Sequence, residues 1–130
     1  MFSPVKTLAV VLLFGLFTLA GCAEYVPVEP PANTGAVFQR SLDEVQTAAR
    51  NALTKMNFAI TKENSQYIEA VHLKAEETVK SNDGELVGIW FKPRTTSVLI
   101  LIDTAKTPKD IAGQRDWEQP LLAEIMRELQ

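Results

Sequence analysis

Four short apolar segments follow one another between residues 58 and 104, and this feature most constrains the fold of the chain. β-branched and aromatic residues are frequent in each segment, as is typical of strands. The connections are short, and Ser81–Gly84 contains the Asp-Gly pair that favours a hairpin turn. Short connections join neighbouring antiparallel strands, so the pattern predicts a four-stranded antiparallel meander. The predicted strands are Phe58–Lys62, Tyr67–Glu77, Glu85–Lys92 and Thr96–Thr104, with Val37–Gln39 as a candidate short edge strand.

Two amphipathic helices flank the predicted sheet. Ser41 and Glu44 have the spacing of a capping box, and apolar residues then recur at helical spacing as far as Met56. Asp116 and Gln119 resemble a second capping box, after which apolar residues repeat about every fourth position to the end of the chain. The sequence therefore predicts a single α+β domain over residues 36–130, with both helices on one face of the sheet.

The composition limits the chemistry that the chain can perform. The formal net charge of −3 disfavours nucleic acid as a partner. A single histidine, His72, and a single cysteine, Cys22, supply no cluster of metal or haem ligands, and no cofactor is predicted. The sequence contains no common catalytic motif, and we expect no enzymatic activity. His72 lies in mid-strand with no obvious nucleophile or orienting acid, which favours a structural role on the sheet.

The first 35 residues differ from the rest of the chain. Lys6 precedes thirteen uncharged, mostly apolar residues from Leu8 to Ala20, and this layout is typical of a secretory signal. As a helix the apolar run would extend only about 20 Å, which is short of a hydrocarbon core roughly 30 Å thick. Ala23–Gly35 is rich in proline, which favours an extended tether of up to about 40 Å. A disordered leader of no specific length is an equally acceptable interpretation.

Leu19-Ala20-Gly21-Cys22 resembles the lipobox of bacterial lipoproteins. The resemblance implies a signal peptide over residues 1–21, cleavage before Cys22, lipidation of its thiol with acylation of the new amino terminus, and a lipidated tether over residues 22–35. Position 23 is Ala and not the Asp that resembles an inner-membrane retention signal. We therefore expect the periplasmic side of the outer membrane, or the exterior of the plasma membrane if the source is Gram-positive.

The third and fourth predicted strands have apolar residues on both faces. Alternation predicts that Leu86 and Trp90 face the helices together with Val98, Ile100 and Ile102. The opposite face then needs a cover, which could be the tether, a second copy, another protein, a lipid-like ligand, the Lys106–Arg115 loop or sheet curvature. The predicted second face, a candidate interaction surface, consists of Val87, Ile89, Phe91, Leu99 and Leu101.

The segment Gly113–Trp117 is the densest polar cluster that contains an aromatic residue. Arg115 could donate a bidentate hydrogen bond and Trp117 could offer a stacking surface to a partner. In the simpler structural interpretation, Gly113 turns the chain, Asp116 caps the last helix and Trp117 packs on Leu121.

The order of elements over residues 36–130 resembles small bacterial lipoproteins and the helix-grip-like domains of BamC, a lipoprotein of the outer-membrane β-barrel assembly machine. The matching features are Ser41–Val45, Phe58–Ile60, Trp90 with Ser97–Ile102, and the helix after Asp116. The resemblance implies a non-enzymatic accessory role. We expect a lipid-anchored binding or scaffolding protein with an envelope protein partner or self-association. The alternative is a carrier or sensor of a small apolar ligand, favoured by a pocket lined by Trp90, Phe91 and the last helix.

Overall fold

The computed structural model describes residues 26–73, 82–105 and 116–130, with the backbone alone for residues 82–84. The predicted signal sequence, Cys22 and the whole of the segment 106–115, which includes Arg115, lie outside the described residues. The fold is α+β, with a five-stranded sheet and two helices. In chain order the elements are a 3-10 turn at Ala32–Thr34, β1 (Ala36–Phe38), α1 (Leu42–Lys55), β2 (Phe58–Asn64), β3 (Tyr67–Leu73), β4 (Asn82–Pro93), β5 (Val98–Ala105) and α2 (Glu118–Glu128).

The sheet has the order β1-β5-β4-β3-β2, and every neighbouring pair is antiparallel. Four strands form the predicted meander, and the candidate edge strand is present as β1. The turn predicted at Ser81–Gly84 is wrong in position, because β4 already begins at Asn82, which pairs with Leu73. Hydrogen bonding to β3 outweighs the local turn preference of the Asp-Gly pair.

Helix α1 begins and ends where the sequence predicts. The Ser41 hydroxyl accepts a hydrogen bond from the backbone N–H of Glu44 at 3.2 Å and donates one to its carboxylate at 3.0 Å. The hydrogen bond from Ser41 also lowers the pKa of Glu44. Asn57 follows the helix with a φ of 67°, the left-handed conformation that commonly ends a helix. Its side-chain amide then donates to the Leu73 carbonyl at 2.8 Å, which joins the helix end to β3.

Helix α2 begins differently from the prediction. Its N-cap is Trp117, which makes no side-chain capping bond, so the capping box predicted at Asp116 and Gln119 is wrong. Instead, the Thr104 hydroxyl on β5 accepts from the Trp117 backbone N–H at 3.0 Å and donates to the Glu118 carboxylate at 3.1 Å. A residue from the sheet therefore satisfies a backbone donor at the start of this helix.

Both helices pack on the same face of the sheet, as predicted. Leu53 of α1 and Ile125 of α2 are fully buried, and they belong to one core cluster with side chains from β2, β3, β4 and β5. The sheet residues of this cluster are Phe58, Ile68, Ala70, Val87, Ile89, Phe91, Val98, Ile100 and Ile102.

The predicted division of β4 and β5 between the two faces is wrong. Phe91 pairs with Ile100 and Trp90 pairs with Leu101, and paired residues point to the same side. Val87, Ile89 and Phe91 therefore belong to the helix-facing core, as their place in the core cluster shows. Leu99 and Leu101 lie on the opposite face, together with Trp90. Alternation identifies the residues of one strand that share a face, but only the register aligns one strand with the next.

Candidate functional site

The face of the sheet away from the helices, called here the outer face, is covered by the N-terminal segment Val26–Thr34, called here the strap. Pro27 is buried there, although it precedes every strand in the sequence. A Cβ atom at Gly88 would lie 2.7 Å from the Cβ of Pro27 and 2.9 Å from the Tyr67 hydroxyl oxygen. The missing side chain at position 88 therefore makes room for the strap on β4.

Polar contacts hold the strap across β4 and β5. The Val28 backbone N–H donates to Oδ2 of Asp103 at 2.8 Å, and Oε1 of Glu29 lies 2.8 Å from Nζ of Lys92. The ion pair is about half exposed, so we assign it a small contribution to stability. The hydrogen bond between Val28 and Asp103 fixes the position of the strap, because it ties the backbone of the strap directly to a side chain of β5.

Gly35, which directly follows the strap, lies against the apolar part of the outer face. A Cβ atom at Gly35 would lie 2.6 Å from Cδ2 of Leu101 and 2.8 Å from Cδ1 of Leu99. Both leucines are nearly inaccessible, with exposed fractions of 2% and 4%. Of the covers considered for the second face, the tether is the one that the structure shows. The extended tether predicted to follow Cys22 therefore contacts the domain at Pro27, Val28 and Glu29.

The predicted interaction residues do not form one open surface. Val87, Ile89 and Phe91 are buried against the helices, and Leu99 and Leu101 are buried on the other face. Trp117 is 7% exposed, and Arg115 lies outside the described residues. Trp90 and Phe91 are neighbours on opposite faces, so they do not line the ligand pocket that the carrier alternative requires. The signals that could have indicated the strap are Pro27 and Gly88, a glycine in the middle of β4.

An aromatic pair borders the place where the strap enters. The ring centroids of Tyr67 and Trp90 are 4.9 Å apart. The Tyr67 hydroxyl donates to Oε1 of Glu69 at 2.7 Å. Burial, followed by this bond to a carboxylate, raises the pKa of Tyr67 above its ordinary value. The phenol therefore stays neutral and keeps its proton for Glu69 over the physiological range.

A second polar cluster lies in the helix-facing layer. Nε1 of Trp117 donates to Oε2 of Glu85 at 2.8 Å, and Nδ1 of His72 lies 3.6 Å from the same oxygen. Glu85 is only 2% exposed. The rings of His72 and Trp117 are 4.7 Å apart, and Phe58 makes edge-on contacts with both. The cluster joins β2, β3 and β4 to the start of α2.

This cluster corrects the interpretation of His72, because the structure places an acid beside it. The sequence contained a signal for this: Glu85 is two residues before Val87 and therefore continues the helix-facing row of β4. The Glu85 carboxylate accepts a hydrogen bond from the Trp117 indole N–H, and the rings of Phe58, His72 and Trp117 pack together beside it. This arrangement indicates that the cluster orients these side chains within the core. Among the described residues, no group of three or more His, Cys, Asp or Glu side chains could hold a metal ion.

An open apolar groove lies where β1 meets α2, with a volume of about 400 Å³. Val37 of β1 is 47% exposed and Met126 of α2 is 53% exposed. Strand β1 is at the end of the sheet order, so one of its backbone edges faces no other strand of the described sheet. The sequence predicts Val37 on an edge strand and Met126 beside the apolar stripe of the last helix. It does not predict that the two residues line the same groove. The lining residues are Ala36, Val37, Phe38, Gln39, Arg40, Met126, Leu129 and Gln130.

Comparison with known proteins yields little. No family model matches the chain. A stretch of 47 residues is 43% identical to Collagenase ColT of Clostridium tetani (strain Massachusetts / E88), and it covers 36% of this chain. The chain spans only 5% of the length of that collagenase, so the match shows neither a family nor an activity. Within the described ranges, no helix is long and apolar enough to cross a membrane.

Proposed function

We propose that the protein is a lipid-anchored accessory protein of the cell envelope, which binds a protein partner and has no catalytic activity. The observation that best supports this function is the strap. Val26 is four residues after Cys22, the cysteine of the lipobox-like sequence, and Pro27 is already buried on the sheet. A lipid on Cys22 would therefore hold the folded domain close to the membrane.

The β1–α2 groove is the surface that we assign to the protein partner. Val37 and Met126 expose apolar surface, and the edge of β1 that pairs with no other described strand offers backbone donors and acceptors. An extended segment of a partner could add to this edge while its side chains enter the groove. We place the protein on the periplasmic side of the outer membrane because Ala23 follows Cys22, or on the exterior of the plasma membrane in a Gram-positive source.

The anchor is tested with Cys22→Ser in the full chain. We expect the wild-type protein to partition into detergent and to carry acyl chains on its N-terminal peptide by mass spectrometry. The variant should stay in the aqueous phase or retain its signal sequence. Wild-type behaviour of the variant in both measurements would contradict the assignment.

The groove is tested by photo-crosslinking in the native envelope. A photoreactive amino acid at position 37 or 126 should give discrete protein adducts. The matched control is position 60, because Ile60 is 37% exposed but lies on β2, at the other edge of the sheet. Equal adducts at all three positions, or adducts at none, would count against the groove as the binding surface.

A further inference from the structure

The strap presents two apolar side chains to its surroundings. Pro27 points into the sheet, whereas Val26 and Val28 on either side of it are 50% and 69% exposed. Alternation along an extended segment explains this arrangement, because neighbouring side chains point in opposite directions. The strap therefore has one side, formed by Pro27, that packs on the sheet, and an opposite apolar side, formed by Val26 and Val28, that faces away from the domain.

The position of this apolar side follows from the chain length to the anchor. From Cys22 to Val26 is four residues, which span at most about 14 Å when fully extended. A lipidated Cys22 has its acyl chains in the bilayer, so the strap is held within a short distance of the lipid headgroups. This step rests on the lipid anchor of the proposed function.

The charges on the outer face favour a nearby membrane surface. Each carboxylate close to the strap has a partner: Glu29 pairs with Lys92, Asp103 accepts from the Val28 N–H, and Glu69 accepts from Tyr67. Bringing such paired groups to an interface costs less than bringing unpaired charges. The aromatic pair of Tyr67 and Trp90 lies on the same face, and these residue types favour the interface between membrane and water.

We propose that the outer face, with Val26 and Val28 of the strap, lies against the lipid surface. The membrane is the occupant of this apolar surface, and the helices lie on the side of the sheet away from it. A lipidated thiol together with an acylated amino terminus would anchor the chain stably without fixing its orientation. The strap valines thus orient the domain, whereas the lipid retains it.

The test uses the lipidated full chain in vesicles of phosphatidylethanolamine and phosphatidylglycerol. Val28→Cys introduces a thiol for an environment-sensitive fluorophore, since the thiol of Cys22 is consumed by lipidation. Met126→Cys is the matched control, because Met126 is similarly exposed but lies on α2. We expect spin-labelled lipid to quench the probe at position 28, and iodide quenching there to fall severalfold when the protein binds vesicles. The probe at position 126 should show neither change.

The outcomes separate the two proposals. Failure of the protein to enter vesicles would contradict the lipid anchor itself. Vesicle binding with equal iodide quenching at positions 28 and 126 would leave the anchor intact and overturn the proposed orientation. The same label in the Cys22→Ser background reports whether the strap contacts lipid without the anchor, and we expect that contact to be lost.

Discussion

At the residue scale, Gly88 determines whether the strap can reach the sheet. In Gly88→Ala the new Cβ would lie 2.7 Å from the Cβ of Pro27, so the strap must shift. We expect a loss of about 1–3 kcal/mol, as for other overpacked sites. Urea denaturation measures this loss, and faster cleavage after Glu29 by a glutamate-specific protease would locate the change in the strap.

The matched experiment places Gly88→Ala in a Pro27→Gly background. The Cβ of residue 27 is then absent, so the same substitution should cost less than in the wild-type chain. Equal losses in the two backgrounds would show that contact with Pro27 is not what excludes a side chain from position 88.

The pKa of Tyr67 depends on the contact between the strap and Gly88, because the Tyr67 hydroxyl lies beside Gly88. Burial and the bond to Glu69 raise its folded-state pKa above the ordinary value of 10.0. Below pH 10, Tyr67 is neutral in both the folded and the unfolded chain, and its contribution to the free energy of unfolding is fully present. As the pH rises above 10, the unfolded chain ionises first, and this contribution is lost. Absorbance titration should show a late-ionising tyrosine that is lost in Tyr67→Phe.

Displacing the strap should change this titration. Pro27→Gly should move the late component towards the ordinary pKa, because less of the ring is then shielded from water. The chain contains one other tyrosine, Tyr25, which serves as an internal reference. If both tyrosines of the wild-type protein titrate together at the ordinary pKa, and neither Tyr67→Phe nor Pro27→Gly changes the pKa observed, the buried environment described for Tyr67 is contradicted.

At the scale of elements, each helix depends on one buried stripe. Leu53 of α1 and Ile125 of α2 are fully buried in the same core cluster. We expect Leu53→Ala and Ile125→Ala each to lower the free energy of unfolding by about 2–5 kcal/mol. Met126→Ala, at an exposed position of α2, is the control and should change it by less than about 0.5 kcal/mol. Losses as small as the control at both buried sites would refute this packing.

The join between β4 and α2 depends on Glu85. In Glu85→Ala the Trp117 indole N–H loses its acceptor at 2.8 Å in a buried site, which should cost about 1–3 kcal/mol. Glu85→Gln keeps an acceptor oxygen and should lose less. Denaturation followed by tryptophan fluorescence measures both variants, and equal losses would show that the hydrogen bond contributes little.

The sequence predicted the elements well and their mutual alignment poorly. Ser41 and Asn57 marked the ends of α1 because capping is a local interaction between neighbouring residues. Thr104 could not be recognised as the cap of α2, since it acts across the chain. Ile89 was assigned to the wrong face because alternation does not set the register between strands. Pro27 was assigned to a tether because its binding slot exists only where Gly88 lies in the folded sheet.

At the scale of the whole molecule, the sheet is a central layer with a cover on each side. The helices cover one face. On the other face the strap lies on Gly88, and Gly35 lies against Leu99 and Leu101. We expect a chain that begins at Ala36, and so lacks both the strap and Gly35, to fold but to associate through its bare outer face. Sedimentation velocity of this chain beside Leu101→Glu in the same background tests the prediction, because the added charge should restore the monomer. A monomeric truncated chain would contradict it.

The contact between Val28 and Asp103 also sets an order of events in time. These residues are 75 positions apart, so the strap has no complete docking site until β5 has been synthesised. Contacts of such sequence separation form late, because a long loop must close first. In an exported lipoprotein, Cys22 would therefore remain accessible to processing enzymes while most of the chain is still being delivered. Completion of the last strand would then bring the anchor and the sheet together.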